Sequence, residues 1–210
     1  MSVENQELIF SDFKKRTVFL LICLIALLLL FIKKSFLEDE TAAFEFLVGT
    51  PEGSILTLRS TLQYFSIPLI YAWKFLVLAF VVWVGCFSFG YRITYSQCWT
   101  IVMSAEFVFF AGEVLKILYF LFLETDPTFY QINAFYPFSL MGLFDYQTLP
   151  DRFHYPLKAL NLFELLYGYL VISGIRFYSK KGTKEALIVV LMTYLPIFLL
   201  WLGFYIVVYD

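Results

Sequence analysis

The stretch MSAEFVFFAGEVLKILYFLFLE, residues 103–124, is apolar enough to lie in a lipid bilayer, yet it carries Glu106, Glu113 and Lys116. On insertion scales a charged side chain near the bilayer centre costs about 2.5 to 3.5 kcal/mol, so each of these groups needs a partner, water or neutralisation. The stretch therefore predicts a membrane-spanning helix whose polar face is covered by the rest of the protein.

The composition of the whole chain is typical of a membrane protein. Hydrophobic residues fill 61% of the 210 positions and charged residues only 15%, against roughly 45 to 50% and about 25% in soluble domains. The net charge of −2 and the lack of a basic cluster argue against nucleic acid binding. Cys23, Cys86 and Cys98 are widely spaced and form no CxxC pair, so we predict buried thiols rather than disulfides or a metal site.

Five stretches are long and apolar enough to cross a membrane, which takes about 20 residues. They are roughly residues 17–33, 67–91, 98–123, 157–178 and 185–208. The first resembles a secretory signal, but no small-residue cleavage site follows it, so we expect an uncleaved signal anchor. We predict an all-α membrane protein built as a bundle of five transmembrane helices.

The orientation follows from the basic residues, which are retained on the cytoplasmic side. With the N-terminus inside, eight Lys and Arg residues fall in the inner segments and five in the outer ones. The short loop SKKGTK, residues 179–184, is the strongest cytoplasmic signal. We therefore predict a cytoplasmic N-terminus and an outer C-terminus, in a plasma membrane such as the bacterial inner membrane.

Three regions follow from this topology. Residues 1–34 form the cytoplasmic N-terminus and anchor helix, residues 35–66 an outer loop, and residues 67–210 a domain of four spans. In the outer loop, apolar residues recur at helical spacing at Ile55, Leu58, Leu62 and Phe65. This spacing predicts a short amphipathic helix, which either lies in the membrane interface or packs on top of the bundle.

The second outer loop, DPTFYQINAFYPFSLMGLFDYQTLPDRFHYP at residues 126–156, combines four prolines with many Phe and Tyr residues. Such a segment is too interrupted to span the membrane and too aromatic to extend into water. It predicts an aromatic cap at the outer interface, held by lipid or by a partner. We expect a structural or interfacial role for His154, the single histidine.

The charged residues of the spans predict a polar cluster inside the bundle. Residues seven apart lie about 20° apart around a helix, so Glu106 and Glu113 share a face, with Lys116 one turn further. Lys116 and Glu164 lie roughly 10 to 12 Å below the outer ends of their spans, and Lys74 comes at a similar depth. The predicted cluster is Lys74, Glu106, Glu113, Lys116, Asn161 and Glu164.

Within this cluster we expect Lys116 to pair with Glu164, and Lys74 with Glu113, leaving Glu106 without an obvious partner. Asn161, Glu164 and Gly168 fall on one face of the fourth span, where glycine would permit close helix approach. The cluster is either a structural set of ion pairs or a hydrated pathway.

The fifth span carries no charge, but Pro196 near its middle removes a backbone donor. We expect a kink there, with the carbonyl of Met192 freed and then satisfied by Thr193.

The stretches ITYSQCWTIVMSAEFVFF, FYPFSLMGLF and LNLFELLYGYLVISGIRFYSKKGTKEAL, taken in this order, resemble the Yip-domain family of five-span membrane proteins over about residues 67–208. The resemblance implies the same topology. It also implies an adaptor role for small GTPases, as in eukaryotic members, or a permease-like role, as in bacterial relatives. Eukaryotic members carry a sizeable cytosolic region before the first span, where this chain has about 16 residues.

The sequence contains no phosphate-binding loop, zinc-protease motif or nucleophile elbow, so we expect no enzymatic activity, no cofactor and no metal site. The leading expectation is an accessory or scaffold subunit of a membrane complex. Its partners would be the lipid bilayer and other membrane subunits or further copies of the chain. The alternative is a small solute or ion transporter component that uses Glu106 and Glu113.

Overall fold

A computed structural model of the protein describes residues 14–38, 51–123 and 129–209, and all structural statements below concern these residues. The first 13 residues of the predicted cytoplasmic N-terminus lie outside this part, as do residues 39–50 and 124–128 of the two outer loops. No β-strand occurs within the described ranges, where the only extended pairing is an isolated bridge between Ser139 and Asn161.

Five long helices form the body of the protein. They are α1 (Lys15–Lys33), α2 (Pro51–Ser88), α3 (Tyr95–Phe122), α6 (Leu162–Ser179) and α7 (Thr183–Val208). Two short helices, α4 (Phe129–Ala134) and α5 (Asp151–Ala159), lie between α3 and α6. Each predicted span thus falls on one long helix, and the bounds agree within about five residues except at the start of α2.

Three of the helices are long and apolar enough to cross a membrane. The segments that meet this description are Lys15–Phe36, Thr61–Ser88 and Thr183–Val208. The two remaining long helices, α3 and α6, contain the charged residues Glu106, Glu113, Lys116 and Glu164. Membrane integration therefore rests on α1, α2 and α7.

Helix α3 lies at the centre of the bundle and contacts α1, α2 and α6. Its first half is buried almost without interruption, from Cys98 to Glu106. Helix α7 packs against α2 and α6 on the other side and leaves most of its side chains exposed. A helix with charged side chains in its middle needs neighbours that cover them, which explains why the helix that carries Glu106, Glu113 and Lys116 is the central one.

Helix α2 corrects one prediction. The sequence suggests a separate amphipathic helix before residue 66, but α2 runs without a break from Pro51 to Ser88, and Pro68 lies inside it. Leu62 and Phe65 are exposed and lie on α2 itself, near the start of its long apolar segment Thr61–Ser88. The side chains of Ile55 and Leu58 lie outside what the structure describes.

Short polar signals set the ends of α3 and α6. Thr94 forms a capping box with Gln97, in which each side chain accepts from the other residue's backbone N–H. Asn161 is the N-cap of α6, since its side chain accepts from the backbone N–H of Glu164 at 2.9 Å. The sequence suggests that Asn161 lies on the inner face of the fourth long helix. In the structure Asn161 instead caps the N-terminus of that helix.

The segment between α4 and α6 packs on the bundle through aromatic rings. Phe135 stacks on Tyr119 of α3 at 4.2 Å between ring centroids, and the Tyr155 ring lies 4.6 Å from that of Tyr205 on α7. His154 stacks on Tyr146 at 3.9 Å, and its Nε2 lies 2.9 Å from the carbonyl of Leu149. These contacts give His154 the structural role that its isolation in the sequence suggests.

The glycines that another helix or the outer segment approaches closely are not the predicted one. A Cβ on Gly85 of α2 would lie 2.7 Å from Thr193 of α7, and one on Gly112 of α3 would lie 2.7 Å from the hydroxyl of Tyr136. At Gly168 a Cβ would meet no atom within 4 Å. Close approach of another element to the glycine backbone therefore occurs at Gly85 and Gly112 and not at Gly168.

Helix α7 continues through Pro196 to Val208. The hydroxyl of Thr193 donates to the carbonyl of Val189 at 2.7 Å, so the expected hydrogen bond to Met192 is wrong.

Candidate functional site

An ion pair joins α2 and α3 inside the bundle. Lys74 Nζ donates to Glu106 Oε1 at 2.6 Å, and the Lys74 Nζ also lies 4.6 Å from the centroid of the Phe109 ring. The side chain of Glu106 is 2% exposed and that of Lys74 is 35% exposed. From the sequence we expect Lys74 to pair with Glu113 and Glu106 to have no obvious partner. Both expectations are wrong, because Lys74 pairs with Glu106.

A cavity of about 440 Å³ opens beside this pair, between α1, α2 and α3, and Tyr136 contributes to its wall. Besides the ion pair, its polar lining consists of Lys33, Gln63, Ser66, Tyr71, Glu113 and Tyr136. Apolar side chains of α1, α2 and α3 line the other walls. Ligand sites of small molecules occupy roughly 300 to 1,000 Å³ and combine apolar walls with a few polar groups, so the cavity has the size and lining of a binding site.

Two carboxylates in this cavity have unused acceptor capacity. Glu106 Oε2 is buried and has no hydrogen-bond partner among the described residues. Glu113 is half-buried, and within the same residues it makes no hydrogen bond or ion pair. A buried acceptor without a partner costs about 1 to 3 kcal/mol, more if charged, so these oxygens are positions where a ligand or water would be stabilising.

Two tyrosines complete the polar wall. The carboxylates of Glu106 and Glu113 lie close enough to Tyr71 and Tyr136 to act on both phenols electrostatically. For Tyr136, in the loop outside the long helices, burial and then Glu113 raise the pKa of the hydroxyl above its usual value. Tyr136 therefore stays protonated at neutral pH and presents a neutral hydroxyl to the cavity.

The other predicted cluster members have partners outside the cavity. Lys116 donates to the backbone carbonyl of Ile132 at 2.6 Å, and Glu164 accepts a hydrogen bond from the hydroxyl of Tyr194 on α7. The predicted pair between Lys116 and Glu164 is therefore wrong. The structure brings Lys74, Glu106 and Glu113 together beside the cavity, which Lys116, Asn161 and Glu164 do not line. Glu164 nevertheless lies near enough to Lys74 and Glu106 to interact with both electrostatically.

The sequence prediction does not include the tyrosines beside the charged residues. Tyr71 and Tyr136 line the cavity, and Tyr194 donates a hydrogen bond to Glu164. Tyr71 lies three residues before Lys74, so helical periodicity places both on one face of α2 and could have found it. Tyr136 and Tyr194 reach carboxylates on other elements, and no local pattern marks them. The buried hydroxyl of Tyr167 on α6, which also has no hydrogen-bond partner in the described part of the chain, was likewise missed.

Within residues 14–38, 51–123 and 129–209, no group of three His, Cys, Asp or Glu side chains could hold a metal ion. All three cysteines in these ranges are buried and free, as the sequence suggests.

Comparison of the chain with protein-family models, with curated proteins and with solved structures found no match. The functional assignment therefore rests on the geometry of the cavity.

Proposed function

We propose that the protein is a multi-pass protein of a plasma membrane, such as a bacterial inner membrane, in which α1, α2, α3, α6 and α7 all span. The N-terminus lies in the cytoplasm and the C-terminus outside. Support comes from the three apolar helices and from the tight turns at 89–94 and 180–182, which make consecutive helices antiparallel. In this arrangement α3 and α6 place their charges against other helices and avoid lipid.

The topology predicts the labelling of single cysteines by an impermeant thiol reagent in intact cells. Glu40→Cys and Gln147→Cys are expected to react, whereas Ser2→Cys and Thr183→Cys react only after the membrane is opened. The buried native cysteines supply the background. Labelling of Thr183→Cys but not Gln147→Cys in intact cells would reverse the orientation.

Within that membrane we propose that the protein binds a small polar solute in the cavity between α1, α2 and α3, as a permease-like component without catalytic activity. The observation that carries this proposal is Glu106, whose buried carboxylate has one oxygen paired to Lys74 and the other unpaired in a cavity of ligand size. An ion pair with a purely structural role would normally be close-packed, with both carboxylate oxygens hydrogen-bonded. Ionisable groups beside cavities in membrane spans commonly mark solute or ion sites.

The proposal requires that the cavity contain water when empty. A cysteine at Ser66, a cavity-lining position, is expected to react with a small neutral water-soluble thiol reagent in the purified protein. The matched control is Ser104→Cys on α3, because Ser104 is 5% exposed and does not line the cavity. The rates are measured by mass spectrometry of the intact protein.

Equal and negligible reaction at both positions would mean a closed, dry space and would remove the proposed solute site. If Ser66→Cys reacts, a panel of small cations, anions and neutral solutes is then screened for slowing of that reaction. Slowing by at least one class is expected of a solute-binding protein.

A second candidate function is that of an accessory subunit of a membrane complex. The adaptor role implied by the resemblance to the Yip-domain family is of this kind. The observation that favours it is a group of exposed apolar side chains in the outer segment, among them Phe138, Leu143 and Phe144. Large exposed apolar side chains contact either lipid or a partner protein. Native purification that recovers a stoichiometric partner, lost in Leu143→Ser and Phe144→Ser variants, would favour this role.

A further inference from the structure

The hydrogen-bonding groups around the cavity are unevenly divided between donors and acceptors. Lys74 already donates to Glu106 Oε1, and Lys33 is itself engaged in another interaction. The unused acceptors near Glu106 are its own Oε2 and the carboxylate of Glu113. Within the described residues, the other unused groups of the polar wall beside them are the hydroxyls of Tyr71 and Tyr136, each with one O–H donor. An ionised carboxylate accepts hydrogen bonds and donates none, so the vacant positions call for a donor.

The charge points in the same direction. The charged residues that line the cavity are Lys33, Lys74, Glu106 and Glu113, so the lining as a whole is formally balanced. Lys74 neutralises Glu106, and Lys33 is engaged elsewhere, so the half-buried carboxylate of Glu113 has no ion-pair partner of its own within the described residues. A ligand that neutralised it would carry one positive charge. A neutral donor would satisfy the hydrogen bonds but would leave the charge of Glu113 uncompensated in a low-dielectric region.

The remaining walls near the carboxylates are aromatic. Tyr71, Phe109, Phe110 and Tyr136 all line the cavity, and the Phe109 ring already holds the ammonium group of Lys74 at 4.6 Å. Aromatic faces attract cations, most strongly where water is excluded. The free carboxylate oxygens and the aromatic faces thus favour a second ammonium group, whereas the two lysines, which would attract an anion, are both engaged.

We infer that the cavity binds a primary ammonium group, which donates to Glu106 Oε2 and to the Glu113 carboxylate and lies beside the aromatic wall. An ammonium group has three N–H donors and no acceptor, which matches the vacant carboxylate oxygens. The group belongs either to a small soluble amine or to an aminophospholipid headgroup that enters from the outer side of the membrane. This inference rests on the proposed solute site and names its ligand class.

The test uses the rate at which the neutral thiol reagent modifies Ser66→Cys in the full-length protein, reconstituted in phosphatidylglycerol vesicles. Propylammonium is expected to slow the reaction in a saturable way. 1-Propanol, which has the same chain without charge, and propionate, which has the opposite charge, should not. Tetramethylammonium carries the charge without N–H donors and should protect more weakly.

Glu113→Gln is the decisive variant, because Glu113 has no partner among the described residues and its replacement breaks no ion pair. Loss of one charge-assisted hydrogen bond is expected to weaken propylammonium binding by about tenfold. Glu185→Gln, an exposed glutamate at the start of α7, is the matched control and should bind as the unaltered protein does. Unchanged affinity in Glu113→Gln would overturn the assignment of that carboxylate to the ligand.

The source of the ammonium group is decided by adding lipid to the vesicles. Slowing by phosphatidylethanolamine, but not by phosphatidylcholine, which lacks N–H donors, assigns the site to a lipid headgroup. Protection by propylammonium without any effect of phosphatidylethanolamine assigns it to a soluble amine. Protection by neither compound, or equal protection by propanol and propionate, overturns the ammonium assignment.

The failures of the two proposals are distinguishable. If another solute class slows the reaction of Ser66→Cys and ammonium compounds do not, the solute site stands and only the ligand class is wrong. If Ser66→Cys does not react at all, the solute site itself is lost.

Discussion

Replacing Lys74 with methionine, or Glu106 with leucine, is expected to destabilise the protein by about 3 kcal/mol, while the double replacement recovers much of that loss. Either single change leaves a charge without its partner, which typically costs about 3 to 5 kcal/mol for a buried pair. The lower end applies because the side chain of Lys74 is 35% exposed. The thermal stability of the three variants and of the unaltered chain is compared in detergent. Unfolding is monitored as the loss of monodisperse protein on heating.

Two comparisons make this result specific to the pair. Lys184→Met and Glu185→Leu make the same chemical changes at exposed positions and should each cost less than about 0.5 kcal/mol. The Lys116→Met and Glu164→Leu changes should be additive, because Lys116 donates to the Ile132 carbonyl and Glu164 accepts from Tyr194. Additive effects at Lys74 and Glu106, or recovery in the Lys116 and Glu164 double variant, would contradict the observed pairing.

The long helices were predictable because hydrophobic length alone determines them. Each of the five apolar stretches becomes one long helix, and the basic turn at residues 180–182 separates the last two where the sequence places it. The start of α2 was not predictable in the same way. The second span is predicted to begin near residue 67, but α2 already begins at Pro51 and runs through Pro68 without a break.

The error in the charge pairs follows from that misplaced boundary. The predicted depths are measured from the outer ends of the spans, where the loops are long and α2 extends beyond the expected start. Counted from the short turn between α2 and α3, Lys74 lies about 21 Å from the end of its helix, Glu106 about 16 Å and Glu113 about 27 Å. Measured from that side, Lys74 is closer in depth to Glu106, which is the pair the structure contains.

The cavity could not be read from the sequence, because it depends on where helices do not meet. Glu106 and Glu113 were correctly placed on one face of α3, and both line the cavity. The contribution of Tyr136 depends on how the outer segment folds back over α3, where its hydroxyl lies against Gly112. Which glycine is closely approached depends on the tertiary packing of the helices. For the same reason the sequence predicts close approach at Gly168, where the described part of the chain shows none, and does not indicate Gly85.

Gly85→Ala is expected to destabilise the protein by about 1 to 3 kcal/mol, although alanine is the better helix former by about 1 kcal/mol. The new Cβ would lie 2.7 Å from both Cγ2 and Oγ1 of Thr193, atoms that belong to a β-branched side chain with little freedom to move. Helices α2 and α7 would have to separate. Thermal unfolding of the purified variant measures the cost.

The cause is tested by removing the atoms that Gly85→Ala would meet. Adding Thr193→Ala deletes both of them and leaves the Cβ at 3.1 Å, so the double variant should recover most of the lost stability. Gly203→Ala and Gly168→Ala are the matched controls, because a Cβ at either position meets nothing within 4 Å. Equal stability of Gly85→Ala and Gly203→Ala would mean that α2 and α7 do not meet at Gly85.

The same variants separate the packing of α7 from the cavity. Gly85 lies on the part of α2 that faces α7, whereas Ser66, Tyr71 and Lys74 face the cavity between α1 and α3. If α2 moves as a rigid helix, Gly85→Ala should also change the rate at which Ser66→Cys reacts. If the rate is unchanged while stability falls, the contacts among α1, α2 and α3 are sufficient to hold the cavity, and α7 acts only as a support.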